Sequence, residues 1–366
     1  MWDGKVCYLS DRGIKQAVER GLLSFNPPLE DRQIQPASVD LLLDEVVDFF
    51  PCPEYGMKDW KMPEEDFLIP AHSTAELKST QRLVFAEGVK FHSELRSSLR
   101  RLSCYIANGG GTTCDPESQR LTAEVVNPSG IEIKLSEGDK IAQLLFNFNK
   151  FDKTGDFIDE EYKRAYHLLC ETDHGHVVST GEAKRLLAEG YFSVPDAKFW
   201  RGMLEVHAGS KARVLRKSLR IDFSNSKDIS DAFEEVKLPY LLRPGEHIVV
   251  ETRENFELSS HIGIHFHDYL LGSRRGFSLS KNCFERLNAD LLLLGNIPDG
   301  WVDPGYKGIL TRQPKTFYEK GVLIRPGQLL GHGTIIFFPN GVERPYGSQG
   351  LGSHYQDSKD IKLVQK

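Results

Sequence analysis

The sequence predicts a mainly β protein formed by a tandem duplication, in which each copy is a β-barrel or β-sandwich domain preceded by one helix. Three observations support this prediction. Each half begins with a similar helical segment, short stretches of alternating apolar residues follow it, and Gly, Pro, Asn and Asp separate these stretches. The length of 366 residues also exceeds that of one ordinary compact domain.

Each half is expected to begin with one amphipathic helix that ends at a glycine. In the segment 9–23, Ser10 or Asp11 is the candidate N-cap and Gly21 ends the helix. The segment 179–191 repeats this order down to its own terminal Gly190. A capping side chain, apolar residues at helical spacing and a final glycine together predict both ends of each helix.

Two further segments recur in the same order and indicate that the whole unit is duplicated. Residues 88–95 align without a gap with residues 263–270, and residues 133–141 resemble residues 323–329. Each member of the second pair precedes an apolar stretch of strand character. Because three collinear matches are improbable by chance, we predict a tandem duplication.

The boundaries follow from where the periodic pattern weakens. We place the first repeat at 1–152, a charged connector at 153–177 and the second repeat at 178–366. The connector is expected to hold a short helix around 160–170.

Composition and charge narrow the functional class. With 40% hydrophobic and 27% charged residues and a net charge of −6, the chain resembles an ordinary globular protein and not a general nucleic-acid binder. We expect no transmembrane helix, because the chain has no run of about 18 apolar residues, and no secretory signal, because residues 1–5 lack a basic region followed by an apolar stretch. Six cysteines without framework spacing indicate free thiols and a cytoplasmic protein.

The densest cluster of hydrogen-bond donors is Arg-Ser-Ser-Leu-Arg-Arg at residues 96–101. Guanidinium groups beside hydroxyls provide the forked, charge-assisted hydrogen bonds that phosphate oxygens favour. A solvated basic helix face is the alternative interpretation.

Glu124 is a candidate general base because it lies between apolar residues of a predicted strand. Burial of a carboxyl raises its pKa toward the range in which it can activate water. The alternative is an outward-facing strand residue without a chemical role.

Two glycine-containing segments of the second half could contact a ligand. The run 343–356 combines glycines, hydroxyls and aromatic residues, which could enclose a nucleotide, although such composition is also typical of a flexible tail. Asp303 begins an Asp-Pro-Gly turn, of which Asp115 is the poorer counterpart in the first half.

The sequence does not predict a metal site held by the protein. It contains no Cys-x-x-Cys pair and lacks the zinc-deaminase pattern. The pairs His174/His176 and His265/His267 have the spacing of metal ligands, but neither pair has a third partner nearby in the sequence.

Taken together, these segments resemble the dCTP deaminase branch of the dUTPase-like superfamily, in its two-repeat form. The resemblance is carried by Ile-Gln-Pro-Ala-Ser-Val-Asp-Leu at 34–41, by residues 96–101, by the turn and strand that contain Glu124, and by the tail 346–356. It covers both repeats and therefore implies a dUTPase-like fold for each.

The resemblance implies a zinc-independent hydrolytic deamination of dCTP to dUTP and ammonia, within pyrimidine deoxynucleotide metabolism. It implies that Glu124 is the general base and acid, and that Ser97 and Arg101 orient the water and polarise the site. The other substrate contacts that it implies are Arg96, Ser98, Leu99, Arg100, Asp115 or Asp303, Thr122, Ala123, Tyr346, Gln349, His354 and Gln356. Mg²⁺ would be carried by the triphosphate.

The second repeat departs from the family pattern. Gln313 stands where a counterpart of Glu124 is expected, and His354 stands where the family usually has Lys. The positions that correspond to the basic cluster are Leu271, Gly272, Ser273 and Gly276. We therefore predict one active site per chain, with catalytic residues from the first repeat and a lid from the second.

The same family implies that the protein is a homo-oligomer, a trimer of two-domain chains or a multiple of it. Three alternatives for function remain open at this stage. They are a dUTP diphosphatase, a bifunctional enzyme that converts dCTP to dUMP, and a regulator that binds deoxynucleotides without turnover.

Overall fold

The structure, a computed structural model, describes residues 5–51, 65–102, 104–106, 112–114, 120–150, 160–216, 219–223, 232–266, 300–316, 319–351 and 355–361. Within these ranges strands dominate and helices are few, which confirms the predicted mainly β class.

The elements of the first half are β1 (Lys5–Leu9), α1 (Asp11–Glu19), β2 (Leu23–Asn26), a 3₁₀ turn (Asp31–Gln33), β3 (Ile34–Gln35), β4 (Ser38–Pro51), β5 (Leu68–Ile69), β6 (Ser73–Phe85), β7 (Lys90–Leu95), α2 (Ser97–Arg101), β8 (Tyr105–Ile106), β9 (Thr112–Cys114), β10 (Arg120–Asn127), β11 (Ile131–Lys134) and β12 (Lys140–Lys150).

The elements of the connector and second half are α3 (Glu160–Cys170), β13 (His174–Val177), α4 (Thr180–Ala188), β14 (Phe192–Ser193), β15 (Phe199–Trp200), β16 (Met203–Leu215), β17 (Leu219–Asp222), β18 (Phe233–Lys237), β19 (Tyr240–Leu242), β20 (Ile248–Leu258), β21 (Ile262–Phe266), β22 (Gly300–Val302), β23 (Lys307–Arg312), β24 (Val322–Ile324) and β25 (Leu329–Phe337).

Both predicted N-terminal helices are present, with the caps that the sequence indicates. Ser10 is the N-cap of α1 and its hydroxyl accepts a hydrogen bond from the Gly13 backbone at 3.0 Å. Ser179 caps α4 in the same way through the Glu182 backbone, at 3.3 Å. A capping hydroxyl satisfies one of the unpaired N–H groups at a helix start, which is why both helices begin at these serines.

The strand pairing repeats between the two halves and confirms the duplication. In the first half β12 pairs antiparallel with β4 and β7, and β6 pairs with β2, β4 and β10. In the second half β25 pairs with β16 and β21, and β20 pairs with β14, β16 and β23. Each repeat is thus a sandwich of two antiparallel sheets around an apolar core, as predicted.

The two repeats are joined through the connector strand β13, which pairs with β1 on one side and β25 on the other. Gly175 lies at a close approach of strands in this junction. A Cβ at this position would stand 2.9 Å from the backbone oxygen of Phe337, so only glycine allows the approach. Apolar residues from both repeats pack at the junction, among them Tyr8, Leu145 and Trp301.

Cys7 and Cys104 are buried free thiols, and burial raises the pKa of each to about 12, so neither is a reactive thiolate. No helix in the described ranges combines the length and apolar character that a membrane span requires.

Candidate active site between the two repeats

An open cleft lies between the repeats. The first repeat lines it with Arg96, Ser97, Ser98, Arg100, Arg101 and Gln143. The second repeat lines it with Phe266, Gly300, Trp301, Val302, Asp303, Tyr306, Leu310, Thr311, Arg312, Gln313, Tyr346 and Tyr355.

The polar residues of the basic cluster line the cleft because Leu99, in the same short helix, packs into the core of the first repeat. Leu99 is completely buried in the core of the first repeat, which turns the polar side chains of α2 toward the cleft. The side chain of Leu99 therefore does not line the cleft, and its predicted contact with substrate stays a prediction. An apolar residue in this short helix is stabilised by burial in the core, and the flanking Ser98 and Arg100 take the cleft positions.

Arg96 is fixed by a buried carboxylate from β4. Its Nη1 lies 2.7 Å from Oδ1 of Asp40, and the other oxygen of Asp40 lies 2.9 Å from Nζ of Lys140. Burial alone would lower the pKa of Arg96, but the negative charges of Asp40 and Asp303 raise it, so the guanidinium stays charged. The segment 34–41 thus positions the basic cluster.

Arg101 is fixed by stacking on the C-terminal tail. Its Cζ lies 3.7 Å from the centroid of the Tyr355 ring, a cation–π arrangement. The Tyr355 backbone N–H donates to the Tyr346 hydroxyl at 3.2 Å, which joins the two tail aromatics. Tyr346 lines the cleft as predicted, whereas Tyr355 was not among the predicted site residues.

Asp303 enters the cleft at the turn after β22. Its Oδ1 accepts a hydrogen bond from Nε1 of Trp301 at 2.8 Å. Burial raises the pKa of Asp303 to about 7, although the Trp301 hydrogen bond and Arg96 oppose this shift. Of the two aspartates considered for the sugar contact, Asp303 therefore faces the ligand space, while Asp115 lies outside the described residues.

Gln356 supports this turn from the outside and does not line the cleft. Its Nε2 donates to the Gly305 carbonyl at 3.1 Å, and its Oε1 accepts from the Lys307 backbone at 3.1 Å. Gly305 has a φ of +92°, which a residue with a side chain would adopt only with strain. Gln356 is therefore a residue that positions Asp303.

Glu124 lies outside the set of residues that line the cleft. It is half-buried on β10, opposite Glu76 of β6. Thr122 and Ala123 lie on the same strand, and neither lines the cleft; Ala123 belongs to the core. Within one chain the cleft therefore brings together the polar residues of 96–101 but not Glu124, and the predicted site in an oligomer stays a prediction.

The physical reason is the way in which the repeats face each other. The hairpin of the second repeat, not that of the first, lies across from the basic cluster. Gln313, the counterpart of Glu124 in the repeat comparison, consequently lines the cleft. The role of Glu124 as general base stays a prediction.

Two other predicted contacts receive no support from the cleft. Gln349 is exposed and does not line it. His354 and the segment 271–276 lie outside the described residues.

Arg312 is a cleft residue that the sequence did not indicate. It is only 6% exposed, and its Cζ lies 5.0 Å from the centroid of the Phe266 ring. A single arginine in a strand has no distinguishing sequence signal, so only the fold could reveal it.

The charge of the cleft favours an anionic ligand. Four arginines are among its described lining residues, whereas Asp303 is the one carboxylate among them. The local charge is therefore positive although the chain carries a net charge of −6.

The chain is similar to proteins of one family. Residues 8–149 match a family model described as dCTP deaminase-like. A relative from Sulfurihydrogenibium sp. (strain YO3AOP1), named "dCTP deaminase, dUMP-forming", is 32% identical over 150 residues, which cover 38% of this chain and 82% of the relative. A relative of the same name from Corynebacterium efficiens is 31% identical over 121 residues, 33% of this chain and 54% of the relative.

A solved structure extends the similarity to both repeats. The 2'-deoxycytidine 5'-triphosphate deaminase from Agrobacterium tumefaciens aligns with a TM-score of 0.62 over 91% of this chain and 99% of that one. Sequence identity in this alignment is 13%, so it shows a shared fold.

Proposed function

The chain belongs to the dCTP deaminase-like family of enzymes, and from that premise we propose that it hydrolyses the C4 amino group of dCTP in the cleft between its repeats. The reaction takes up one water and releases ammonia. The observation that carries this proposal is the cleft itself, in which the basic cluster of one repeat faces Asp303 and Tyr346 of the other.

The triphosphate is assigned to the basic cluster. Arg96, Arg100 and Arg101 supply guanidinium groups, and the hydroxyls of Ser97 and Ser98 lie beside them in the lining. Forked, charge-assisted hydrogen bonds of this kind match phosphate oxygens. We assign Mg²⁺ to the phosphates and not to a cage of protein ligands.

Asp303 and the tail are assigned to the nucleoside. A carboxylate in the cleft can accept a hydrogen bond from a sugar hydroxyl, and Tyr346 covers the same space from the tail. Closing such a site excludes water from all positions except the reacting one.

Two carboxylates compete for the role of general base. The family resemblance implies Glu124, which lies outside the lining of the cleft, whereas Asp303 lines it. Gln313 can orient a water but cannot accept its proton. Glu124 is the candidate that the resemblance implies, and Asp303 is the alternative in a pose where it contacts the reacting water instead of the sugar hydroxyl.

The product of the reaction on dCTP is either dUTP or dUMP. The relatives described above are named dUMP-forming, whereas the sequence analysis favoured dUTP. Their names favour the bifunctional alternative, in which a second water cleaves the dUTP intermediate to dUMP and pyrophosphate.

Measuring ammonia and pyrophosphate release from dCTP, dUTP and dCMP with Mg²⁺ tests both parts of the proposal. Both products from dCTP indicate the bifunctional enzyme, and ammonia alone indicates a deaminase that stops at dUTP. Pyrophosphate from dUTP without ammonia from dCTP would identify a diphosphatase. Binding of dCTP without either product would identify a regulator, and removal of Mg²⁺ with a chelator is expected to weaken every activity on triphosphates.

The oligomeric state and cellular location are also proposals. We propose a homo-oligomer, a trimer or its multiple, in a reducing cytoplasm to which the buried free thiols are suited. Light scattering on the purified chain measures the oligomeric state, and fractionation of cells measures the cellular location.

A further inference from the structure

Three side chains converge at the junction of the repeats, behind the cleft. His92 and Glu94 are two residues apart on β7, so their side chains lie on one face of the strand. His265 reaches them from β21 of the second repeat. Oε1 of Glu94 lies 3.0 Å from Nε2 of His265 and 3.7 Å from Nε2 of His92.

We propose that His92, Glu94 and His265 bind one divalent transition-metal ion of the zinc class, which links the two repeats. Their three candidate ligand atoms all lie within 4.8 Å of one another. None of the three residues lines the cleft, so this ion is separate from the chemistry proposed there.

The ligands are held for this role by neighbouring side chains. The Tyr8 hydroxyl lies 3.3 Å from Nδ1 of His265, which leaves Nε2 directed at the cluster. When Nε2 binds a metal, Nδ1 carries the proton and donates it to Tyr8. Such an outer hydrogen bond is the usual way in which a metal-binding histidine is oriented.

Glu94 is oriented in the same manner. Its Oε2 lies 3.5 Å from Nε2 of Gln143 and 3.7 Å from Nη1 of Arg100, so its Oε1 is the oxygen that faces the two imidazoles. Glu94 is 3% exposed, so these neighbours hold its carboxylate in a defined orientation.

The donor set determines the class of ion. Two imidazole nitrogens and one carboxylate oxygen suit Zn²⁺ and related first-row ions, whereas Mg²⁺ and Ca²⁺ prefer oxygen ligands throughout. Three protein ligands leave a fourth tetrahedral position for water.

The position of the cluster explains why sequence spacing did not reveal it. His265 has a second histidine two positions later, but its partners His92 and Glu94 belong to the first repeat. They meet because the packing of the two repeats brings β7 and β21 together.

The alternative occupant is a proton that bridges His265 and Glu94. Full-length chain, stripped with a chelator and then titrated with Zn²⁺, distinguishes the two states. We expect one Zn²⁺ per chain by calorimetry and by metal analysis, together with a melting temperature that rises with Zn²⁺ concentration.

Matched variants locate the ion. Glu94→Gln and His265→Gln are expected to weaken Zn²⁺ binding by at least ~10-fold. Loss of a residue that only orients a metal ligand already lowers metal affinity by about this factor, and these two residues are proposed as ligands themselves. His332→Gln is the control, because His332 is also a buried histidine but lies outside the cluster, and it should bind Zn²⁺ as the unmodified chain does.

Two results would overturn the proposal: no stoichiometric Zn²⁺ in the unmodified chain, or equal Zn²⁺ affinity in the cluster variants and the control. If the buried variants fail to fold, His92→Gln provides the same test, because His92 is only half-buried. The visible spectrum of the unmodified chain loaded with Co²⁺ provides a second test. A tetrahedral Co²⁺ spectrum supports the site, and its absence counts against it. Because these readouts do not use ammonia release, their failure is distinct from failure of the proposed deamination.

Discussion

Nη1 of Arg96 lies 2.7 Å from Oδ1 of Asp40, and that carboxylate has no exposed surface. The contact joins two segments that are distant in sequence, residues 34–41 and 96–101, and fixes one of the guanidinium groups that line the cleft. A buried pair of this kind is costly to break, because removal of one partner leaves an uncompensated charge.

Asp40→Asn is therefore expected to lower the free energy of unfolding by about 3–5 kcal/mol and to raise the KM for dCTP. Chemical denaturation and steady-state kinetics measure the two effects. Glu189→Gln is the control, because it breaks the exposed pair of Glu189 with Arg185, which should contribute less than about 1 kcal/mol. Equal effects of both substitutions would contradict a special role for Asp40.

Arg101→Lys is expected to weaken dCTP binding by about 10- to 100-fold. Lysine keeps the charge but loses the planar guanidinium that stacks on Tyr355 and binds phosphate in a fork. Calorimetric titration with a non-hydrolysable dCTP analogue measures the change. Arg201→Lys alters a second arginine–aromatic pair, on Trp200 and outside the cleft, and should leave binding unchanged.

Substitution of each candidate base distinguishes the two mechanisms. If Asp303 accepts the proton, Asp303→Asn should lower kcat by about 10²- to 10⁴-fold, whereas Glu124→Gln should change it little. The opposite result would assign the base to Glu124 and would require that another arrangement of chains brings Glu124 to a nucleotide. Binding of the dCTP analogue to both variants controls for misfolding.

Gln313→Glu is expected to increase the rate of ammonia release. Gln313 lines the cleft at the position that corresponds to Glu124 of the first repeat, so a carboxylate there adds a proton acceptor next to the nucleotide. Gln313→Asn, which keeps the amide, is the matched control. Unchanged or lower activity of Gln313→Glu would mean that this side chain does not face the reacting water.

Asp303 should also make stability depend on pH. The pKa of its carboxyl rises from 3.8 to about 7 on folding, so between these values the folded chain binds more protons here than the unfolded chain does. The free energy of unfolding therefore falls as pH rises through this window, by at most about 4 kcal/mol at 1.36 kcal/mol per pKa unit.

Comparison with Asp303→Asn isolates this contribution. The melting temperature of the variant minus that of the unmodified chain should increase from pH 5 to pH 8, because the variant no longer buries a negative charge. Parallel melting curves across this range would show that the pKa of Asp303 is not raised.

The local sequence determined the elements whose causes are local. Ser10 and Ser179 cap their helices, the glycines after them end the helices, and alternating apolar residues form the strands of both repeats. It also identified residues 96–101 as the basic cluster, because a run of guanidinium and hydroxyl groups is visible without a fold.

What only the tertiary structure decided is which of these residues meet. Sequence comparison shows that the repeats are related, but it does not show which hairpin lies across from the basic cluster. The packing at β13 sets Asp303 and Gln313 there and leaves Glu124 on the sheet of its own repeat. The same packing brings His265 to Glu94, because burial of the apolar junction, not proximity in the chain, fixes how the two repeats face each other.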